Sequence, residues 1–336
     1  MLCPDRLPIL DAVKVTVTGG AGYVGALVCK ELVERDDDVR ALDVVLHGQE
    51  DVVGELGELG VELIRGDVRD AGLRERALTG ADAVVHLAAI VGDPACARDP
   101  ELSQAVNVDA SRDLVDDAAR LGVERIVFAS TCSNYGRMAD PTVPVAEGGE
   151  LRPVSLYAEQ KVSVEQMLLS GRFAGSGLAP TCVRLATVYG VAPRMRFDLT
   201  VNEFTRDLWA DRELEVFGER FWRPYVHVAD AARSIALVLA SPADQVGGDV
   251  FNVGHSDENY RKLDLVELIK GHLGRGQVSF VHREEDPRDY KVSFEKVRRE
   301  LGYETQRTVA DGIEELAAAL DRRAFDDPFA RVYSNT

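Results

Sequence analysis

The chain has 336 residues, 46% apolar and 29% charged, enough for one large domain or two ordinary ones around a buried core. That balance excludes a disordered or low-complexity chain, and no run approaches the ~18 apolar residues of a membrane-spanning helix. With 39 basic and 57 acidic residues the net charge is −18; such a surface repels nucleic acid and anionic lipid, so a phosphate-binding site must gather its cations locally.

Along the chain, short β-branched runs alternate with helical patterns. Strands are expected at 13–18, 39–43, 61–65, 83–87, 125–129 and 181–185, several of them apolar throughout, as in strands buried on both faces. Helices are expected between them at 23–35, 73–79, 101–121 and 155–172. This alternation predicts an α/β fold with a doubly wound parallel sheet. Past Tyr189 the pattern loosens: helices are expected at 199–210, 228–239, 263–272, 294–301 and 309–324, and strands at 215–217, 250–253 and 278–281. The expected division is a larger domain at 1–190, to which 222–254 returns, and a smaller, discontinuous α/β domain comprising 191–221 and 255–336. Cys3, Cys29, Cys96, Cys132 and Cys182 form no CxxC pair, and residues 1–8 lack the apolar core of a secretory leader. Reduced thiols and a cytoplasmic location are therefore expected.

The first strand runs into glycines at 19, 22 and 25, with a helix starting among them. Gly19 permits a tight turn, Gly22 allows close approach of a diphosphate, and Gly25 lets the helix lie on the strand. The diphosphate then meets the helix N-terminus, where free N–H groups and the dipole favour anions. Gly19, Gly22, Tyr23, Val24 and Gly25 are thus candidate cofactor contacts. Eighteen positions beyond Gly25, Asp43 closes the second strand; its carboxylate suits a ribose diol and repels a 2′-phosphate, which selects NAD over NADP. Asp67 and Val68, after the third strand, are placed for the adenine.

Tyr157 and Lys161, four apart, share one face of a helix. The pair follows the fifth strand, whose carboxyl end carries Thr131 and Cys132, and active sites of open α/β sheets form at such ends. Six histidines show no metal-ligand spacing, so no metal is expected.

These signals come in a fixed order: Thr18-Gly19-Gly20-Ala21-Gly22-Tyr23-Val24-Gly25, His86-Leu87-Ala88-Ala89, Asn107-Val108-Asp109, Ser130-Thr131-Cys132-Ser133-Asn134-Tyr135-Gly136, Tyr157-Ala158-Glu159-Gln160-Lys161, Arg223-Pro224-Tyr225-Val226-His227 and Asp286-Pro287-Arg288. The chain resembles, over nearly its whole length, the extended short-chain dehydrogenase/reductases of the NAD-dependent nucleotide-sugar epimerase/dehydratase group. The resemblance implies a Rossmann-like fold, NAD, a nucleoside-diphosphate-sugar substrate and a homodimer. It implies that Tyr157 is the acid/base on a sugar hydroxyl, that Lys161 holds the nicotinamide ribose and lowers the Tyr157 pKa, and that Thr131 bonds the same sugar oxygen. Leu87, Ala88, Ala89 and Asn107 would line the cofactor. Arg223 and Arg288 would clamp the substrate diphosphate, with Asn202 as an amide donor.

Two departures narrow the reaction. Where family dehydratases carry an Asp-Glu pair after the threonine, this chain has Cys132 and Ser133, which disfavours elimination of water. Cys132 reads either as a base beside a ketone or as a packing residue. Thr187 replaces an asparagine of many relatives and keeps a hydroxyl for the substrate. Arg194 and Arg196 stand near the expected mouth, either on phosphate or in solvent. The reading is an NAD-dependent epimerase acting at C4 through a keto-sugar. The alternatives are a keto-sugar reductase, a C3/C5 epimerase, or a catalytically silent NAD-binding regulator.

Overall fold

The computed structural model describes residues 13–281 and 288–335; Cys3, His282, Asp286, Pro287 and the 1–8 segment lie outside them. In chain order the strands are β1 (Lys14–Thr18), β2 (Asp38–Asp43), β3 (Glu62–Arg65), β4 (Ala83–His86), β5 (Arg125–Thr131) and β6 (Ala179–Leu185). There follow β7 (Thr187–Tyr189), β8 (Leu214–Phe217), β9 (Trp222–His227), β10 (Asp249–Val253), β11 (Asn259–Arg261) and β12 (Val278–Val281).

Seven strands form one sheet in the order β10-β6-β5-β4-β1-β2-β3, with every neighbour parallel. This is the doubly wound Rossmann-like sheet expected from the alternation, and the strand order reverses between β1 and β4. Alternate residues of the central strands enter opposite cores. Val15, Val17, Val85 and Val127 pack with helices Gly25–Val33 and Val228–Ala240, whereas Val84, Ile126 and Phe128 pack with helices Ala110–Arg120 and Leu156–Leu169. Burial on both faces explains the continuous apolar strand sequences. A third core joins helices Thr200–Trp209, Lys262–Leu273 and Val309–Asp321 to β8. Beside it lie two small sheets, β11-β9-β7 and β12-β8. Within 222–254, β10 extends the large sheet beside β6, while β9 pairs with β7 and β11.

Some elements depart from the sequence reading. The helix expected at 101–121 is interrupted: helix Pro100–Gln104 passes through a π-helical turn, Ala105–Asp109, before helix Ala110–Arg120. Helix Glu50–Glu58 was not expected, because only Val52 and Leu56 are buried in a polar, glycine-containing segment. β7, β9 and β11 were likewise unread; each pairs with partners distant in sequence, so no local period announces them. Among the described residues no helix is long and apolar enough to cross a membrane.

Candidate active site

A single cavity of about 660 Å³ runs along the carboxyl ends of β1, β4, β5 and β6, from the glycine turn to the far side of Tyr157. Gly19, Gly22, Tyr23, Val24, Gly25, Asp43, Asp67, Val68, Leu87, Ala88 and Ala89 line its first end. At the glycine turn, Gly19 has φ +73°, and an added Cβ on Gly25 would overlap the Gly19 carbonyl oxygen. The helix that begins at Gly25 has no side-chain cap; the Ala26 N–H is taken by the Gly22 carbonyl (3.1 Å), and the positive end of the helix dipole is left for a ligand. Asp43 is 8% exposed and its carboxylate accepts the N–H groups of Ala21 (3.0 Å) and Val45 (2.8 Å). Burial raises its pKa, although both N–H bonds favour the charged form. An uncapped helix start, a turn with no room for side chains and a fixed carboxylate together fit a dinucleotide. Asp67 lines the cavity, but its carboxylate is gripped by the Arg69 guanidinium (Nη2–Oδ2 2.6 Å), which holds it below the usual carboxylate range.

Asn107 is a correction. It is buried in the π-helical turn and does not line the cavity. Its amide brackets Ile90, accepting the backbone N–H (2.8 Å) and donating to the carbonyl (2.9 Å), and also donates to Gln160 Oε1 (2.8 Å). It therefore braces the loop after β4 rather than touching a cofactor. His86 is bound between Thr18 Oγ1 (2.7 Å) and Ser111 Oγ (2.8 Å); burial pushes it to about 3, so it stays neutral.

Thr131, Ser133, Tyr157 and Lys161 meet at the middle of the cavity. Tyr157 opens the helix capped by Ser155, and Lys161 lies one turn on, 4% exposed, with Nζ donating to Ala129 O (2.8 Å) and 5.9 Å from the Tyr157 ring centroid. Burial lowers Lys161 to about 8. The expected lowering of Tyr157 is not found. Enclosure by protein raises its phenol above the ordinary value, and the positive charges of Arg196 and Arg288 only partly oppose this. Thr131 Oγ1 accepts the Ser133 N–H (3.1 Å), which starts the 3-10 turn Cys132–Tyr135.

That turn decides the question of Cys132. It directs Ser133 into the cavity and Cys132 into the core, where the thiol is 1% exposed and donates to Arg184 O (3.2 Å). Burial pushes the thiol far up, so Cys132 is a packing residue and not a catalytic one. Behind it, Arg184 and Glu165 form a fully buried ion pair, and Ser130 Oγ donates to Glu165 (2.6 Å), fixing the end of β5.

The far end is lined by Thr187, Arg223, Lys262 and Arg288, with Arg196 toward Tyr157 and Arg194 toward Asp43 and the glycine turn. These cations are gathered locally, against a net charge of −18. Arg288 Nη1 donates to Ser133 Oγ (3.2 Å) and pairs with Asp93 (3.3 Å); Arg223 donates to the Trp222 (2.7 Å) and Arg288 carbonyls. Arg196 pairs with Asp198 (2.6 Å). Asn202, a second correction, does not line the cavity. It accepts the Gly190 N–H (2.9 Å) and donates to Tyr23 Oη (3.1 Å) and Arg196 O (2.8 Å), holding the 190–196 segment against the glycine turn. Ser133, Asp93 and Asn335 line the cavity without having been read as site residues, and Arg194, which the sequence left between phosphate and solvent, lines it too. For Ser133 the signal was present, since it follows Thr131 at the spacing of the turn. Among the described residues no three His, Cys, Asp or Glu side chains could hold a metal ion.

Residues 15–254 match a family model described as the NAD dependent epimerase/dehydratase family. A UDP-glucose 4-epimerase of Corynebacterium glutamicum is 31% identical over 314 residues, covering 88% of this chain and 92% of its own. A dTDP-glucose 4,6-dehydratase of an Actinoplanes species is 29% identical over 322 residues, covering 91% and 97%. Among solved structures, MoeE5 in complex with UDP-glucuronic acid and NAD superposes with a TM-score of 0.80 at 27% identity, covering 93% of this chain and all of its own.

Proposed function

The chain belongs to the NAD dependent epimerase/dehydratase family, and from that premise we propose that it inverts C4 of a nucleoside-diphosphate sugar through a transient keto-sugar. NAD is the cofactor; when bound it supplies a reversible hydride acceptor. The residues that would hold it are the glycine turn, Asp43, Val68, Leu87, Ala88, Ala89 and Lys161.

Tyr157 moves the proton of the sugar hydroxyl. It must first lose its own proton, a loss that burial opposes and the cations of Arg196 and Arg288 favour; the Lys161 ammonium stands 5.9 Å from its ring centroid. Thr131 Oγ1 orients the same sugar oxygen. Arg223 and Arg288 grip the diphosphate, as guanidinium forks suit phosphate oxygens, and keep the nucleotide tethered while the sugar turns over. Thr187 and Arg196 contact the substrate near its mouth.

The observation that carries the choice of reaction is the 3-10 turn after Thr131. Elimination of water needs a carboxyl acid and base there, and exchange beside a ketone needs a nearby base. The turn offers Ser133, a hydroxyl held by Arg288, and Cys132, a thiol buried away from the cavity, and the nearby carboxylate, Asp93, is paired with Arg288. None of them makes the acid and base pair that elimination needs, which favours proton transfer by Tyr157. The test is to incubate the holoenzyme with a panel of nucleotide sugars in deuterated water, without added reduced cofactor. The expected result is a C4 epimer carrying no deuterium on its ring carbons. Deuterium beside the former carbonyl, or turnover only with stoichiometric reduced cofactor, would overturn the proposal.

A further inference from the structure

Arg194 is the anomalous cation of the cavity. Its side chain is 5% exposed yet lines the cavity, and its Nε has no hydrogen-bond partner among the described residues. The side-chain acceptor it has is neutral: Nη2 donates to Asn335 Oδ1 (2.6 Å). Asp198, the carboxylate of the same segment, is taken by both forks of Arg196 (3.0 and 2.6 Å) and by the Asn335 backbone N–H (3.1 Å). A buried guanidinium without a carboxylate is costly unless an anion completes the site. Burial, with Arg196 nearby, lowers Arg194 to about 10, which still leaves it charged at neutral pH.

Its position says which anion. The 190–196 segment is tied to the glycine turn, because Tyr23 Oη donates to Gly190 O (2.6 Å) and Asn202 bridges Tyr23 to Arg196. Arg194 also lies within electrostatic reach of Asp43 and Tyr23. Arg223 and Arg288, by contrast, stand at the Ser133 end. We propose that Arg194 binds the diphosphate of the dinucleotide, opposite the uncapped helix start, and that Asn335 is the positioning residue that holds its guanidinium there. The segment after helix Val309–Asp321 thereby becomes part of the cofactor site: Tyr333 O accepts the Phe197 N–H (2.8 Å), and Phe197, Phe325 and Tyr333 pack edge to face. The inference rests on the glycine-turn end being the dinucleotide end, and not on which sugar carbon is inverted.

The test is binding rather than turnover. Full-length protein freed of nucleotide is titrated calorimetrically with NAD, ADP, adenosine and UDP. Arg194→Met is expected to weaken NAD and ADP by about tenfold or more, the worth of one charge-assisted hydrogen bond, while adenosine and UDP bind as before. Arg194→Lys should recover part of the loss. Asn335→Ala should weaken NAD and ADP less than Arg194→Met does, and the double variant should be no worse than Arg194→Met alone. Should Arg194→Met fail to fold, the Arg194→Lys and Asn335→Ala titrations decide the matter through the same ADP-against-adenosine contrast. Unchanged ADP binding, an equal loss of adenosine, or a loss of UDP in place of ADP would overturn the proposal.

Discussion

The two ends of the cavity are built differently. The cradle at the glycine turn is made mostly of backbone from one continuous stretch: a strand end, a turn in which a side chain would overlap a carbonyl, and an uncapped helix start. The far end is made of side chains that arrive separately, from the loop after β6 and β7, from β9, and from the 288–290 segment. A backbone cradle depends on a few residues adjacent in sequence, and it tolerates almost no substitution. An end made of long side chains depends on contacts across the fold, such as Arg288 with Ser133 and Asp93, and its composition can drift while the cavity persists. Specificity for one nucleotide sugar belongs to the second kind of construction.

The largest effect is expected where the two ends meet. Tyr157→Phe should lower kcat by about 10²- to 10⁴-fold, the usual worth of a positioned acid/base, while NAD binding changes little; steady-state kinetics and calorimetry on one preparation check both. The contrast between the ends comes next. Gly25→Ala should weaken NAD by about a hundredfold, since its Cβ must displace the Gly19 carbonyl. Arg288→Met should leave NAD binding intact and weaken UDP-type ligands by about tenfold. If both substitutions damaged NAD binding equally, the separation of the ends would be lost.

A smaller effect is a pH dependence. Folded Lys161 releases its proton near pH 8, whereas in the unfolded chain it does so near 10.5. Between those values the unfolded state binds more protons, so this group makes stability rise with pH. The difference in unfolding free energy between wild type and Lys161→Met, followed by urea titration from pH 7 to 10, should show that slope. The smallest effect is expected for Cys132→Ala: unchanged kcat, with a modest stability loss of about 1–2 kcal/mol from a buried sulfur.

The same contrast explains what could be read without the structure. The sheet was legible because strands buried on both faces must be apolar throughout, and the glycine turn because its residues are contiguous. Tyr157 and Lys161 were legible as neighbours on one helical face. Cys132 and Ser133 were not separable, because a 3-10 turn, not a strand or helix, decides which of them faces the cavity. Asn107 and Asn202 were read as ligand contacts because an amide in a motif looks alike whether it faces a ligand or a backbone; their hydrogen bonds to Ile90, Gly190 and Arg196 settle the matter. Arg194 gave no decisive signal, since its surroundings include Asn335, 141 positions away.

The π-helical turn at Ala105–Asp109 has a consequence for how this chain can change over generations. A π turn amounts to a one-residue surplus in an otherwise regular helix. Deleting one residue there would shorten the chain without unravelling the helix, but each residue on one side would swing about 100° relative to the other. Asn107 and Ser111 now work as a pair across that surplus, one bracketing Ile90 and the other meeting His86. Loss of a single codon would leave a well-formed helix able to keep one of those grips but not both.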